Sequence, residues 1–135
     1  MDVPNEIVVF PSGRSRVGNQ DVLMDREGAQ ECIRKFTSLG RDMVIDYDHA
    51  SLQLASIAQG KSPAAGWVHG LRWDESRGLL AAVRWTERAR GMLESGEYRF
   101  HSPVGYVRES DGRFVELYSV ALTNQPLTSN IAAIV

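Results

Sequence analysis

Residues 98–123 read YRFHSPVGYVRESDGRFVELYSVALT, and they carry the clearest structural signal in the chain. Two runs rich in aromatic and β-branched residues, 98–108 and 114–123, flank Ser110-Asp111-Gly112. Asp-Gly between such runs is a strong signal for a tight turn that joins two antiparallel strands. The stretch therefore predicts a hairpin of two long strands, with Ser102 inside the first of them.

The rest of the chain adds strands and helices that alternate along the sequence. Further strands are predicted at 7–10, 43–47, 65–73 and 79–85, and the last two flank a polar connection of hairpin length. Helices are predicted after the N-cap residues Asp25 and Thr86, with a third at 50–58. About six strands and two or three flanking helices indicate an α+β protein built on a curled or closed antiparallel β-barrel.

Composition describes one ordinary globular domain and excludes several classes of function. The chain has 135 residues, a net charge of −2 and dispersed basic residues, so no nucleic-acid partner is expected. No apolar run approaches the roughly 20 residues that span a bilayer, and the first residues lack the pattern of a signal peptide. These features predict an intracellular protein without a membrane partner.

Metal and cofactor chemistry finds little support in the sequence. Cys32 is the only cysteine, which excludes an internal disulfide, and it lies on the apolar face of a predicted helix as a small buried hydrophobe. Asp46, Asp48 and His49 form a polar cluster, but the cluster lacks a second histidine at helical spacing, as a hydrolytic zinc site requires. We therefore expect neither a metal nor a cofactor.

Ser102 and His49 are the candidate reactive residues. His49 follows a short apolar strand about fifty residues before Ser102, and a histidine near a serine can accept its proton and make it a nucleophile. Each residue also has a structural interpretation, His49 as a loop residue and Ser102 as part of the kink before Pro103. His69 is interpreted as a structural or surface residue. His101 should face away from Ser102, because neighbouring strand residues point to opposite sides.

Five short motifs follow one another in an order that resembles a known family. They are Val44-Ile45-Asp46-Tyr47-Asp48-His49, Pro63-Ala64-Ala65-Gly66-Trp67, Val83-Arg84-Trp85-Thr86, Glu97-Tyr98-Arg99-Phe100-His101-Ser102-Pro103 and Ser119-Val120-Ala121-Leu122-Thr123-Asn124-Gln125-Pro126. The chain resembles the phage Mu-like prohead proteases, the I proteins of Mu-like prophages. It is more distantly similar to other tailed-phage prohead proteases and to herpesvirus assemblins.

The resemblance implies an assemblin-like fold and a serine endopeptidase that cleaves scaffold and capsid proteins during head maturation. It places Ser102 as nucleophile and His49 as general base. It implies a single protease domain over residues 1–135, without the scaffold-like region that follows it in the family. Phage scaffold and major capsid proteins would be its partners, and the chain could form a homodimer. The place of action would be the host cytoplasm, inside the assembling prohead.

The third catalytic position departs from the wider family. Where other prohead proteases have an acidic residue and assemblins a histidine, this chain has Ser119. Asp46 is our preferred substitute, Glu116 and Ser119 are alternatives, and a bare Ser-His dyad is also open. Alternation along the last strand should place Glu116 and Ser119 on opposite faces, which counts against Glu116. The loop 123–125 is a candidate oxyanion region by resemblance.

Two other functions compete with the protease. A catalytically inactive assembly module would keep the fold and bind scaffold or capsid protein, and the missing third residue favours it. A generic esterase is less consistent with the sequence, since no serine lies in a G-x-S-x-G elbow.

Overall fold

The computed structural model describes residues 2–53 and 62–135. Within them it contains eight strands, two α-helices and one 3₁₀ turn. In chain order they are β1 (Glu6–Pro11), β2 (Gly13–Val17), β3 (Gln20–Met24), α1 (Arg26–Leu39), β4 (Met43–Tyr47), a 3₁₀ turn (Ala50–Leu52), β5 (Gly66–Asp74), β6 (Gly78–Trp85), α2 (Glu87–Ser95), β7 (Phe100–Val107) and β8 (Phe114–Thr123).

Six of the strands form one curled sheet in the order β1-β6-β5-β4-β8-β7. All neighbouring strands in it are antiparallel except β4 and β8, which run parallel. The sheet curls until its two outer strands approach each other, and β2 and β3 form a separate hairpin. This confirms the predicted α+β class with a barrel-like sheet, although the sheet is mixed rather than wholly antiparallel.

The hydrophobic core fills the inside of the barrel. Phe10, Ile45, Leu79, Val120 and Leu122 are all fully buried there. Side chains alternate between the two faces of a strand, and these residues point inward. The residues next to them along each strand therefore point to the outer face of the barrel. The candidate site lies on that outer face.

Two β-bulges change which residues of β8 face outward. Ser119 pairs with Val104 and Leu117 with Gly105, so Tyr118 is an extra residue without a partner. A second bulge leaves Val115 unpaired. Each extra residue shifts the alternation by one position. Glu116 and Ser119 consequently share the outer face, so the prediction that they lie on opposite faces was wrong.

The N-caps of both helices were predicted from sequence and are confirmed. The Asp25 carboxylate accepts a hydrogen bond from the Gly28 N–H at 2.9 Å, and α1 ends at Gly40 with a φ of 70°. Thr86 caps α2 in the same way, and that helix ends at Gly96. Cys32 is buried, and burial raises the pKa of its thiol to about 12, so it is the inert core residue that was expected.

One element of the structure was not predicted, and one predicted helix can be compared with the structure only in part. The β2–β3 hairpin was not predicted. Of the predicted helix 50–58, residues 50–52 form the 3₁₀ turn, Gln53 is extended, and residues 54–58 lie outside the described residues. Neither helix in the described ranges is long and apolar enough to cross a membrane.

Candidate functional site

The turn after β4 holds His49 in an unusual backbone conformation. Asp48 and His49 have φ angles of 53° and 60°, so two consecutive non-glycine residues occupy the left-handed region. Such residues are uncommon and cluster where surrounding contacts impose them, often at functional sites. One such contact is the hydrogen bond from the Asp48 N–H to the Leu122 carbonyl oxygen at 3.0 Å, which ties the turn to the end of β8.

The Asp46 carboxylate is the main support of this turn. Asp46 is fully buried, and its Oδ1 accepts from the His49 backbone N–H at 3.1 Å. Its Oδ2 accepts from the Ser51 backbone N–H at 3.0 Å and also from the Ser51 hydroxyl. Asp46 therefore contacts His49 through the backbone in this structure. The His49 ring nitrogen Nδ1 is buried and has no hydrogen-bond partner among the described residues.

Ser102 lies on the same outer face as Asp46, with one strand between them. Ala121 of β8 pairs with Asp46 of β4 on one side and with Ser102 of β7 on the other. Residues paired across a sheet point to the same face, and two strand spacings place Asp46 and Ser102 about 10 Å apart. Ala121 contributes only a methyl group to the space between them. The fold thus brings the His49 turn and Ser102 to one surface, although their side chains are not hydrogen-bonded to each other here.

Ser119 and Glu116 are the alternatives for the third catalytic residue. They lie at different distances from the paired residues Asp46, Ala121 and Ser102. Ser119 is two residues before Ala121 on the same face, and its hydroxyl is buried without a hydrogen-bond partner among the described residues. Glu116 lies five residues before Ala121, roughly 15 Å along the strand. Its carboxylate pairs with Lys35 of α1 at 3.4 Å. The structure therefore brings Asp46, Ser119 and Ser102 together and places Glu116 away from them.

A groove of about 620 Å³ opens beside the His49 turn. Its walls come from residues 48–49, residues 97–98 before β7, and residues 123–125 with Leu127 after β8. Thr123 pairs with Phe100, two positions along the outer face from Ser102. Ser102 is only 2% exposed and does not itself line the groove. The groove is large enough for a peptide segment and passes close to the candidate residues.

The residues 123–125, considered as an oxyanion region, have several polar groups already engaged. The Asn124 side chain accepts from the Arg99 N–H at 2.9 Å and donates to the Glu97 carbonyl oxygen at 2.8 Å. The Gln125 N–H donates to the Thr123 hydroxyl oxygen at 3.2 Å. That this loop forms the oxyanion region stays a prediction.

The other two histidines lie apart from the His49 turn. His69 is exposed at a bulge of β5. His101 is 3% exposed inside the barrel, where its Nε2–H donates to the Val8 carbonyl oxygen at 2.7 Å. Burial lowers the pKa of His101 to about 4, so its ring is neutral near pH 7. As expected from alternation, His101 faces away from Ser102.

Sequence reasoning missed the supporting residues Ser51 and Tyr98. An aspartate that accepts backbone N–H groups a few residues later is a known turn pattern, so the Asp46–Ser51 contact had a local signal. Tyr98 donates to the Asp48 carboxylate across a separation of 50 residues, at 2.6 Å. No local pattern could have revealed that contact.

Together these observations define a small barrel-like α+β domain that presents a strained histidine turn and a buried serine on one outer face. The sequence profile of the Mu-like prophage I protein, N-terminal domain, matches residues 7–135. The chain therefore belongs to the family of Mu-like prophage I proteins.

Two curated relatives agree with this assignment. The chain is 37% identical to the Mu-like prophage FluMu I protein of Haemophilus influenzae over 131 residues, which covers 87% of this chain and 37% of that protein. It is 30% identical to Protease I of Escherichia phage Mu over 112 residues, which covers 81% of this chain and 31% of that protein. The chain thus spans about a third of the length of these relatives. No solved structure gives a significant match.

Proposed function

We propose that this chain is a serine endopeptidase domain of the prohead-maturation type. The observation that carries the proposal is the row Asp46–Ala121–Ser102, which places the His49 turn and Ser102 on one outer face beside a groove. The name of the phage Mu relative, Protease I, supports the same activity. A protease of this kind would act on scaffold and capsid proteins inside the assembling prohead, in the host cytoplasm.

In the proposed mechanism the Ser102 hydroxyl attacks the carbonyl carbon of the scissile peptide bond. His49 accepts the hydroxyl proton and then delivers it to the leaving amine, and water later releases the acyl group from Ser102 by the reverse sequence. The space above Ala121 is where the imidazole would meet the hydroxyl. Asp46 holds the turn that carries His49, and Ser119 offers on the same face a hydroxyl that has no partner among the described residues.

A non-catalytic assembly module is the second candidate. Two observations favour it: Ser102 is 2% exposed, and its hydroxyl makes no hydrogen bond to His49 in this structure. Such a module would bind scaffold, capsid protein or a second copy of the chain with the same surface. Catalytic contacts in unliganded enzymes are often longer than in the complex, so the missing hydrogen bond is also compatible with the protease.

Reaction with a fluorophosphonate probe separates the two functions, since the probe labels a serine only when a neighbouring base activates it. We expect Ser102→Ala to abolish labelling and His49→Ala to slow it by a factor of roughly a thousand or more. Ser15→Ala and His69→Ala are matched controls that change another buried serine and an exposed histidine. Cleavage of the prophage's own scaffold and capsid proteins should follow the same order. A parent protein that the probe does not label would support the assembly module, and equal labelling of the Ser102→Ala variant would show that Ser102 is not the nucleophile.

The pH dependence gives a second test of the base. A base that must be unprotonated to accept a proton gives a rate that rises with pH. The labelling rate should show that rise in the parent protein and lose it in His49→Ala. A rise that survives this substitution would show that another group is the base.

A further inference from the structure

Tyr98 connects the segment that leads into β7 with the turn that carries His49. Its hydroxyl donates to Asp48 Oδ2 at 2.6 Å, and Asp48 immediately precedes His49. Four residues after Tyr98 the chain reaches Ser102, inside β7. One side-chain contact thus joins the two segments that hold the candidate base and nucleophile.

Asn124 fixes Tyr98 from both sides. Its amide oxygen accepts from the N–H of Arg99, and its amide nitrogen donates to the carbonyl oxygen of Glu97, the two residues that flank Tyr98. Asn124 follows directly after β8, the strand that lies between β4 and β7. The residue that follows β8 therefore holds Tyr98 in place through the backbone on both sides of it.

Asp48 receives further support that directs its carboxylate toward Tyr98. Its N–H donates to Leu122, and its carbonyl oxygen accepts from the Gln53 amide at 2.9 Å. The Tyr98 ring lies 5.7 Å from the ring of Tyr47, centre to centre. Hydrogen bonding to the Asp48 carboxylate raises the pKa of Tyr98 to about 12, so the phenol keeps its proton and remains a donor throughout the working pH range.

We propose that Tyr98 and Asn124 are positioning residues that set the separation between the His49 ring and the Ser102 hydroxyl, acting through Asp48. This inference rests on the proposed function. Asp48 and His49 share a left-handed turn, so movement of the Asp48 side chain changes the direction in which His49 leaves the backbone. A displacement of about 1 Å between reacting groups can cost a hundredfold in rate.

Tyr98→Phe is the direct test, because it removes the hydroxyl and keeps the ring against Tyr47. In fluorophosphonate labelling we expect the maximal rate constant to fall roughly 10- to 100-fold, with little change in the probe concentration that gives half the maximal rate. Tyr106→Phe is the matched control, since it removes the hydroxyl from an exposed tyrosine of β7, and its rate should equal the parent rate. Asn124→Ala should show the same kind of loss as Tyr98→Phe.

A double substitution shows whether the effect passes through His49. In a His49→Ala background the added Tyr98→Phe change should leave the small residual rate unchanged, because no base remains to be positioned. Asp48→Asn keeps an acceptor oxygen for the phenol and should fall between the parent and Tyr98→Phe. A further loss in the double variant, or a fall in thermal stability that parallels the loss of rate, would overturn the inference.

The inference and the proposed function fail in different ways. If Ser102→Ala still reacts with the probe, the proposed function is wrong. If Ser102→Ala is inert and Tyr98→Phe reacts at the parent rate, the protease proposal stands and the role of Tyr98 is overturned.

Discussion

Asp46 is the residue on which the geometry of the site depends most, because its buried carboxylate holds the His49 turn. It is fully buried on the outer face of the barrel, and among the described residues it accepts its hydrogen bonds from His49 and Ser51. Buried carboxylates are retained where donors compensate for the loss of water. Here the same donors are the backbone groups of a strained turn, so charge and turn stabilise each other.

Asp46→Asn should reduce both stability and activity. The amide has one acceptor oxygen, so at least one backbone N–H of His49 or Ser51 loses its partner, at a cost of about 1–3 kcal/mol in the free energy of unfolding. Urea unfolding measures this cost, and fluorophosphonate labelling measures the accompanying loss of rate. Ser51→Ala is the matched control, because it removes one donor and leaves both backbone bonds, and it should cost much less.

The pH profile of Asp46→Asn separates two roles for this residue. If Asp46 stabilises the charged His49 ring directly, the substitution should move the midpoint of the rate profile to lower pH, since the imidazolium loses its counter-charge. If Asp46 acts only through the backbone, the maximal rate should fall while the midpoint stays. Unchanged stability together with an unchanged rate would contradict both roles.

At the scale of elements, the bulges of β8 determine which side chains reach the site. The extra residue Tyr118 allows Leu117 and Val120 both to face the core while Glu116 and Ser119 face outward. Gly105 is paired at that bulge, where an added Cβ would collide with the Glu116 carbonyl oxygen and the Phe114 ring. Only glycine fits where the two strands approach so closely, so Gly105 is required for the bulge that sets the orientation of the β8 side chains.

Gly105→Ala should therefore destabilise the protein strongly, because the strand pair must separate or the bulge must be lost. We expect a clear fall in the melting temperature and a loss of fluorophosphonate labelling, since Ser119 and Ala121 would turn away from the outer face. Gly91→Ala is the matched control: it lies inside α2 with open space around it and should stabilise by about 0.5–1 kcal/mol. A Gly105→Ala protein as stable as the parent would show that the bulge is adaptable.

Elements with local signals were predictable from sequence, and contacts between distant segments were not. Asp25, Gly40 and Asp111-Gly112 announce a helix start, a helix end and a turn through chemistry that acts within a few residues. The parallel pairing of β4 with β8 has no such signal, and the alternation rule failed at Tyr118 because it assumes a regular ladder. Ser102 and His49 could be named from the family resemblance, whereas the Tyr98–Asp48 contact required the fold.

At the scale of the whole molecule, the two end strands of the sheet are joined by a side-chain hydrogen bond. They do not form a backbone hydrogen-bond ladder with each other, so the barrel is nearly closed. Strands β1 and β7 are the two ends of the six-stranded sheet, and the His101 ring of β7 donates to the Val8 carbonyl oxygen of β1. Glu6 and Arg77 line a cavity of about 320 Å³ at the same seam, which the chain segment 130–134 also borders. The closure therefore depends on His101 being neutral, because a charged ring would be buried there.

The seam should weaken as the pH falls, and His101→Gln tests this. The folded pKa of His101 is about 4, below its ordinary value of 6.5, so the unfolded chain binds a proton that the folded one excludes. The contribution of His101 is thus complete above pH 6.5 and is lost as the pH falls toward 4, with a slope of up to about 1.4 kcal/mol per pH unit. Glutamine keeps an N–H donor for Val8 and does not titrate, so the variant's free energy of unfolding should fall less steeply over that range.

His69→Gln changes an exposed histidine and should follow the parent curve. Parallel curves for the parent and His101→Gln would show that the seam tolerates a charged ring, and that the barrel is closed by packing rather than by this hydrogen bond.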